Sequence, residues 1–570
     1  MRRLEAGAGM GTNETIARQT AVAGGIRYES CEATIGKGRA EGNKVVRTGG
    51  SGGRSSGLSG SGCLDSTRRK RPGELASVVD AYDARALLPV IETPPCRPVR
   101  SPRLTEVALR FGLPLTAPAR RIATGLKLDS SPGTITLIKG PSGAGKTLLL
   151  EAMARHLPGS RLVHACPFPI DVSIIDAVAP TRGIDEAMGL LTACGLGEPS
   201  LWLRRFDQLS EGERFRARLA RAISMHGRAA DPCALLRDHE SGWRSRPSSS
   251  RGRGAPLLCD EFGAGLHTRI AQALAFNLRK LATRQRLAIV LATCRDDIER
   301  DLRPDRIIHL SGHGCQSTAC ASAARFEPDA VPSFAEGFCI EPGDLRDYAR
   351  FAPMHYRRRE NLGFVDKVFA LRGRDGEPLA VVVYGHASLE LRPRNRATGG
   401  RFVANAKRLN EELRVLKRLI VHPDARGCGL GHRLVRETLP QTGVRFVECL
   451  SAMGLVNPVF EKAGMRRIGV CELPAGQERI LQRLRKLGAD PLDAGFVDAV
   501  RDNESVSKLV SQAVGDWYRS ITAGGEARAQ RLSARALAQT YRQIVGSRPV
   551  YYLWAADDEG NQLIEASLHA

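Results

Sequence analysis

The sequence lacks the features of membrane-spanning proteins, secreted proteins and common zinc-binding proteins. None of its hydrophobic runs approaches the roughly 18 apolar residues that a membrane-spanning helix requires. No continuous apolar stretch follows the charged first residues, which argues against a secretory signal. Its fourteen cysteines include no C-x-x-C pair of the kind common in zinc sites. We therefore expect a soluble, cytoplasmic protein with reduced thiols.

Acidic and aromatic residues are also scarce. Asp and Glu number 61 against 84 Lys and Arg, which leaves a net charge of +23, and aromatic residues make up 5% of the chain. The excess of positive charge indicates a polyanionic partner such as nucleic acid, and solvated basic faces are the alternative. Two basic clusters, 357–359 and 392–396, motivate the first interpretation. The low aromatic content does not suggest a platform for stacking single-stranded bases.

The length of 570 residues predicts two or three domains. Residues 1–77 are rich in Gly, Ser and Arg and predict a disordered extension. A first α/β domain is expected over 78–312, with a disordered insertion at 226–254. A second module of mixed helix and strand is expected over 334–472. The remainder, 473–570, predicts a mainly helical tail.

A phosphate-binding motif stands between a predicted strand and a predicted helix. It matches G-x-x-x-x-G-K-[ST] and reads Gly140-Pro141-Ser142-Gly143-Ala144-Gly145-Lys146-Thr147. Glycines in such a loop let backbone N–H groups point at phosphate oxygens, and the following helix adds its positive end. Lys146 is expected to reach the β- and γ-phosphates, and Thr147 to ligate Mg²⁺. The motif predicts that the chain binds ATP.

A second nucleotide signal is the apolar strand Leu257-Leu258-Cys259, which ends in Asp260 and Glu261. Both carboxylates should emerge at the carboxyl edge of the sheet, beside the phosphate loop. Asp260 is expected to hold Mg²⁺, and Glu261 to polarise the attacking water.

Between these two motifs, Leu209-Ser210-Glu211-Gly212-Glu213 leads into a basic helix. It resembles the L-S-G-G-Q signature of the ATP-binding cassette (ABC) family, with acidic residues at the third and fifth positions. The resemblance implies that Ser210 and Gly212 cap ATP held by an opposite subunit, and therefore a head-to-tail homodimer. His267 stands in the place of the family's usual Asp, and Cys294 in the place of the switch histidine. The resemblance thus implies slow hydrolysis.

The second module contains a strand, then Arg426-Gly427-Cys428-Gly429-Leu430-Gly431, then a helix. This segment resembles the [QR]-x-x-G-x-[GA] motif of the GNAT N-acyltransferase family, and the segment that begins at Asn457 resembles that family's closing helix. The resemblance implies that acetyl-CoA or another acyl-CoA is a cofactor, with its diphosphate held by Arg426, Gly427, Gly429 and Gly431, and that Asn457 belongs to the same site. It also implies two parallel strands that separate to admit the pantetheine arm.

The acid or base of an acyl transfer is less clear from the sequence. Phe460 occupies the place of the family's frequent tyrosine and cannot donate a proton. Glu448, His422 and Tyr356 are candidates, and a structural ion pair, a turn cap and a packed ring are the respective alternatives.

The sequence as a whole predicts an α/β protein, in which a P-loop NTPase domain of ABC type precedes a GNAT-like acyltransferase domain. The expected function is ATP hydrolysis coupled to transfer of an acyl group to an amine. A nucleic-acid-associated ATPase and the nucleotide-binding subunit of a transporter remain alternatives.

Overall fold

The structure is a computed structural model that describes residues 85–93, 101–116, 119–226, 255–311, 314–320, 330–356, 362–521 and 525–569. All of them belong to one compact unit of the chain, 79–570. The predicted disordered extension, nearly all of the predicted insertion and the basic cluster at 357–359 lie outside the described residues.

The first half of the described chain is organised around a six-stranded sheet. Two short antiparallel pairs precede it, β1 (Arg85–Leu87) with β4 (Lys127–Asp129) and β2 (Ile91–Glu92) with β3 (Arg121–Ala123). The sheet strands are β5 (Ile135–Lys139), β6 (Arg161–Leu162), β7 (Leu257–Cys259), β8 (Ile289–Thr293), β9 (Arg306–Ser311) and β10 (Gly314–Ala319). Their order is β10-β9-β5-β8-β7-β6, with every pair parallel except β9 and β10. Parallel pairing brings the carboxyl ends of β5, β7 and β8 to one edge.

Helices cover both faces of this sheet, as its buried parallel strands require. They are α2 (Lys146–His156), α3 (Ile174–Val178), α4 (Ile184–Ala193), α5 (Pro199–Trp202), α6 (Glu211–Met225), α7 (Thr268–Gln285) and α8 (Glu299–Leu302), and the mostly exposed α1 (Pro102–Phe111) precedes them in the chain. Helix α2 packs in one core layer, whereas α3, α4, α6 and α7 pack in the other.

A seven-stranded sheet organises the second half. Its strands are β11 (Cys339–Gly343), β12 (Val365–Arg372), β13 (Pro378–Gly385), β14 (Leu413–Val421), β15 (Phe446–Ser451), β16 (Arg466–Val470) and β17 (Val550–Ala555), in the order β11-β12-β13-β14-β15-β17-β16. Only β14 and β15 pair in parallel. Within the described strands that pairing stops at Val415 opposite Glu448, so the two strands separate toward their carboxyl ends.

Helices also flank the second sheet. They are α9 (Leu345–Phe351), α10 (Arg392–Ala397), α11 (Ala406–Glu412), α12 (Leu430–Thr438), α13 (Val459–Lys462) and α19 (Asp558–His569). Helices α12 and α13 share one core layer with the sheet, while α10, α11 and α19 pack on the opposite face.

The region predicted as a helical tail, 473–570, is organised differently. Five helices, α14 (Ala475–Lys486), α15 (Phe496–Asp502), α16 (Glu504–Ile521), α17 (Gly525–Gln530) and α18 (Ala534–Gly546), share a core of their own. The chain then returns to the second sheet, where β17 inserts between β15 and β16. The helices are therefore an insertion before the interior strand β17, and a boundary at 472 divides this sheet. Among the described residues, no helix combines the length and hydrophobicity needed to cross a bilayer.

Candidate functional site

The phosphate loop lies between β5 and α2, with two glycines in left-handed conformations. Gly143 has φ 76° and Gly145 has φ 98°. A Cβ added at Gly145 would lie only 2.8 Å from Cδ1 of Ile122, so both the backbone and the available space require glycine there. The loop therefore has the curled form that a phosphate-binding backbone needs.

Lys146 begins α2 and lies over the same loop. Its Nζ donates hydrogen bonds to the carbonyl oxygens of Gly140 at 2.8 Å and Pro141 at 2.9 Å. The ammonium group is thus held over the loop at the N-terminus of α2. A triphosphate bound by the loop would meet it directly.

The two predicted metal ligands are in contact. Thr147 Oγ1 donates to Asp260 Oδ2 at 2.6 Å, although 113 positions separate these residues. The other carboxylate oxygen of Asp260 accepts from the backbone N–H of Glu261 at 2.9 Å. A hydroxyl and a carboxylate are the oxygen donors that Mg²⁺ prefers, so this pair fits the metal.

Glu261 follows directly and has an exposed side chain. Its φ of 50° is uncommon for a residue with a Cβ. Phe262 leads the chain back into the core, where its N–H donates to Ala292 O on β8 at 2.9 Å and its carbonyl accepts from Thr293 Oγ1 at 2.9 Å. This sharp turn leaves the Glu261 side chain on the surface, directly after Asp260.

The signature segment forms the start of α6 through a capping box. Ser210 Oγ accepts from the N–H of Glu213, and the Glu213 carboxylate accepts from the N–H of Ser210 at 2.8 Å. Glu213, which departs from the family signature, therefore stabilises the helix end. A Cβ on Gly212 would lie 2.8 Å from Cδ2 of Leu266, so a larger residue there would displace the Leu266 side chain.

Arg295 is a functional candidate that sequence reasoning missed. It follows Cys294 at the end of β8 and donates to the carbonyl oxygens of Gly263 at 3.2 Å and Leu266 at 2.7 Å. It therefore links the switch position to the turn that precedes α7. No local motif predicts this role, because Arg295 and the carbonyl groups that it contacts are about thirty residues apart in the sequence.

A second missed residue is Arg120, whose NH2 group donates to the Gly143 carbonyl at 2.9 Å. A guanidinium beside the phosphate loop adds positive charge where a triphosphate would lie. The residue precedes β3 and carries no signal beyond its charge.

The glycine loop of the second half also precedes a helix, α12. Gly427 has φ 81° and Gly429 has φ 90°. Unlike the phosphate loop, it lies against another helix: Asn277 Nδ2 on α7 donates to Arg426 O at 3.3 Å, and Lys280 Nζ donates to Gly427 O at 3.2 Å. The side chain of Arg426 turns inward and donates to Met354 O at 2.7 Å. The predicted diphosphate loop is therefore also a contact between the two halves.

Glu448, one of the predicted acid–base candidates, lies in a buried ion pair. Its side chain is 3% exposed and forms a two-point ion pair with the fully buried Arg394, at 2.8 and 3.0 Å. Tyr551 Oη adds a hydrogen bond at 2.9 Å. This arrangement is the structural ion pair given above as the alternative for Glu448, and it leaves the carboxylate almost without solvent contact.

The other two acid–base candidates have different local contacts. His422 Nδ1 accepts from the N–H of Asp424 at 3.3 Å, which is the turn cap foreseen as its alternative. Tyr356 is 43% exposed and stacks on His355 with ring centroids 4.6 Å apart. Phe460 packs against Tyr552 at 5.3 Å, while Asn457 is exposed before α13.

The basic cluster at 392–396 does not form a continuous surface patch. Its central residue, Arg394, is in the core, and only Arg392 and Arg396 are exposed. The described residues also contain no group of three or more His, Cys, Asp or Glu side chains placed to bind a metal.

Sequence comparison relates the chain to ATP-binding proteins. No protein-family model matches it. Tylosin resistance ATP-binding protein TlrC of Streptomyces fradiae is 35% identical over 115 residues, which are 18% of this chain and 20% of TlrC. Taurine import ATP-binding protein TauB of Pseudomonas savastanoi pv. phaseolicola is 27% identical over 164 residues, 23% of this chain and 59% of TauB. Hemin import ATP-binding protein HmuV of Photobacterium profundum is 25% identical over 165 residues, 22% of this chain and 57% of HmuV.

The chain thus contains a region homologous to ABC-type nucleotide-binding cassettes, which agrees with the loop and carboxylate geometry. It spans less than two thirds of each relative's length. These relatives are named for ATP binding, import and tylosin resistance, so they do not support the acyl-transfer part of the prediction.

Solved structures of ABC cassettes also match part of the chain. The dimeric structure of MJ0796, a bacterial ABC transporter cassette, is 17% identical with a TM-score of 0.27 and covers 35% of this chain and 92% of its own. CbiO1 from Clostridium perfringens is 16% identical with a TM-score of 0.26 and covers 35% and 82%.

Proposed function

We propose that this chain is an ABC-type ATP hydrolase that works as a head-to-tail dimer. The hydrogen bond between Thr147 and Asp260 supports the proposal most, because it joins two Mg²⁺ donors beside Lys146. Mg²⁺ held there would neutralise part of the charge on the β- and γ-phosphates.

The chain's own residues divide the work as follows. The loop N–H groups and Lys146 bind the phosphates, and Glu261 accepts a proton from the attacking water. Ser210 and Gly212 of one copy cover the nucleotide of the other. Cys294 lacks the basic nitrogen of a histidine, so we expect slow turnover.

The direct test is ATP binding by the full chain in the presence of Mg²⁺, measured by calorimetry. Lys146→Ala removes a charge-assisted contact and should weaken binding about 10- to 100-fold. Lys127→Ala, an exposed lysine on β4, is the matched control and should leave binding unchanged. Equal affinity of the wild type and Lys146→Ala would contradict the proposal.

A second activity is proposed for the second half, namely acyl-CoA binding by a GNAT-like domain. The observation in its favour is the separation of β14 and β15 beyond Val415 and Glu448, next to the loop at the start of α12. Because Glu448 is held in a buried ion pair, Tyr356 and His422 are the more accessible candidates for acid–base work. Binding of the coenzyme is therefore better supported than transfer.

Two glycines of the second half offer a matched test of this binding. Gly429 and Gly464 have nearly the same φ, 90° and 91°, but only Gly429 lies in the loop. Alanine strains both backbones similarly. Calorimetry with acetyl-CoA should show weaker binding for Gly429→Ala and no change for Gly464→Ala. No binding to the folded wild type would reject a coenzyme site.

The transporter-subunit alternative has one observation in its favour, the import ATP-binding relatives. It predicts that ATP turnover rises several-fold when the chain is returned to membranes that hold its partner. An ATP turnover rate that is the same with and without such membranes would argue against the transporter-subunit alternative. Nucleic-acid association is supported only by net charge.

A further inference from the structure

Helix α7 belongs to the cores of both halves. Buried residues on one side, such as Leu274 and Leu278, pack with the first sheet. Ala273 and Phe276, on another side, pack in the core beneath α12 and the second sheet. Phe276 is 1% exposed, so this second contact is fully formed. Because interiors are close-packed, a shift of α7 must displace groups in both halves.

The carboxyl-terminal part of α7 supports the glycine loop. Asn277 is 3% exposed and, with Lys280, donates to the carbonyl oxygens of Arg426 and Gly427. A Cβ on Gly427 would lie 2.6 Å from Asn277 Nδ2, so loop and helix touch without spare room. The loop geometry therefore depends on where α7 lies.

The amino-terminal end of α7 is attached to the nucleotide elements. The helix starts directly after the turn that follows Glu261, and Arg295 holds that turn through Gly263 and Leu266. Arg295 also donates to Thr268 Oγ1, the first residue of α7, at 3.1 Å. Asn277 and Lys280, which contact the glycine loop, lie about 14 and 18 Å further along the helix at 1.5 Å per residue.

The charges around Lys280 make its hydrogen bond to the Gly427 carbonyl sensitive to small movements of α7. Burial, together with the nearby cations Arg284, Lys462 and Arg433, lowers the pKa of Lys280 to about 8, against the opposing effect of the buried Cys428 thiol. Burial and several of the same cations lower the pKa of His432, at the start of α12, to about 4. Positively charged side chains from both halves therefore lie around this loop. The repulsion between them changes with the distance between α7 and α12.

We propose that α7 is a coupling helix, through which nucleotide binding at the phosphate loop changes the conformation of the glycine loop at 426–429. This inference rests on the proposed function, since it assumes that ATP binds the first loop. By linkage, an anion held by the glycine loop changes nucleotide affinity by the same factor.

Hydrogen exchange of the full chain, followed by mass spectrometry of peptides covering 424–434, tests the proposal. The probe is β,γ-imido-ATP with Mg²⁺. We expect the analogue to change the exchange rate in this segment at least about 5-fold, the lower end of typical coupling between sites. Peptides from α16, which packs in the separate helical core, should not respond.

The variant Asn277→Ala with Lys280→Met removes both polar contacts with the loop. It should lose the exchange response while binding the analogue within about twofold of wild type. Lys127→Met is the matched control and should keep the response. If the double variant does not fold, Lys280→Met alone should still reduce the response.

The outcomes separate the two proposals. No binding of the analogue to the wild type would overturn the proposed function, and the coupling with it. Normal binding with unaltered exchange at 424–434 would overturn the coupling alone. A full response in the variant that lacks both contacts would also overturn it.

Discussion

The two glycine loops of this protein have similar local structure and different surroundings. Gly143 and Gly145 before α2, and Gly427 and Gly429 before α12, all adopt left-handed φ values between 76° and 98°. The first loop faces a hydroxyl and carboxylates at the open edge of a parallel sheet. The second faces Asn277 and Lys280 of α7. A local motif therefore specifies a backbone shape, whereas the neighbouring elements decide what that shape contacts.

The largest effect is expected at the first loop. Glu261→Gln removes the proposed proton acceptor and should lower ATP turnover by about 10²–10⁴-fold with ATP affinity retained. Steady-state phosphate release and calorimetry measure the two quantities. Glu106→Gln, on the exposed face of α1, is the control and should change neither. Turnover that survives in Glu261→Gln would mean that another group activates the water.

The next effect concerns a carboxylate of the second half. Glu448→Gln leaves Arg394 buried without its counter-charge and should lower the free energy of unfolding by about 3–5 kcal/mol. The partly exposed pair Arg401–Glu412 is the matched comparison, and Glu412→Gln should cost no more than about 1 kcal/mol. Denaturant titration gives both values. Equal costs would show that burial does not distinguish the two pairs.

The smallest effect is a pH dependence at the second loop. Burial, and then the cations Lys462, Arg436, Arg433 and Lys280, lower the pKa of His432 to about 4, below its ordinary 6.5. The neutral ring therefore contributes stability that is complete above about pH 6.5 and is lost as the pH falls toward 4.

We expect this loss to stay below about 1 kcal/mol between pH 7 and pH 5, because the ring is partly exposed. Denaturation midpoints at the two pH values measure it. His432→Gln should flatten the difference, and His386→Gln should not. If His432→Gln keeps the same difference in denaturation midpoint between pH 7 and pH 5, another group is responsible for the pH dependence.

Part of the site follows from sequence because it depends on short-range patterns. A strand, a glycine loop and a helix in succession predict the phosphate loop, and a strand that ends in two carboxylates predicts Asp260 and Glu261. Their meeting is also foreseeable, since parallel strands place their carboxyl ends at one edge. The 2.6 Å contact between Thr147 and Asp260 agrees with that reasoning.

Other assignments depend on pairs that are remote in the chain. Glu448 meets Arg394 from 54 positions away and Tyr551 from 103 positions away, so an apparent catalytic carboxylate is a buried ion pair. A run of basic residues at 392–396 suggests a surface patch, but its central arginine is the partner in that pair. The strand β17 rejoins the second sheet after five helices, which a composition-based boundary at 472 does not anticipate.

The sequence by itself determined the nucleotide loop, the carboxylates and the glycine-rich turn before α12, because each needs particular residue types within a few positions. Only the tertiary structure decided which carboxylate is accessible, where β17 pairs and that α7 serves two cores. Those outcomes depend on burial and on contacts between distant segments, and packing rather than local backbone preference sets them.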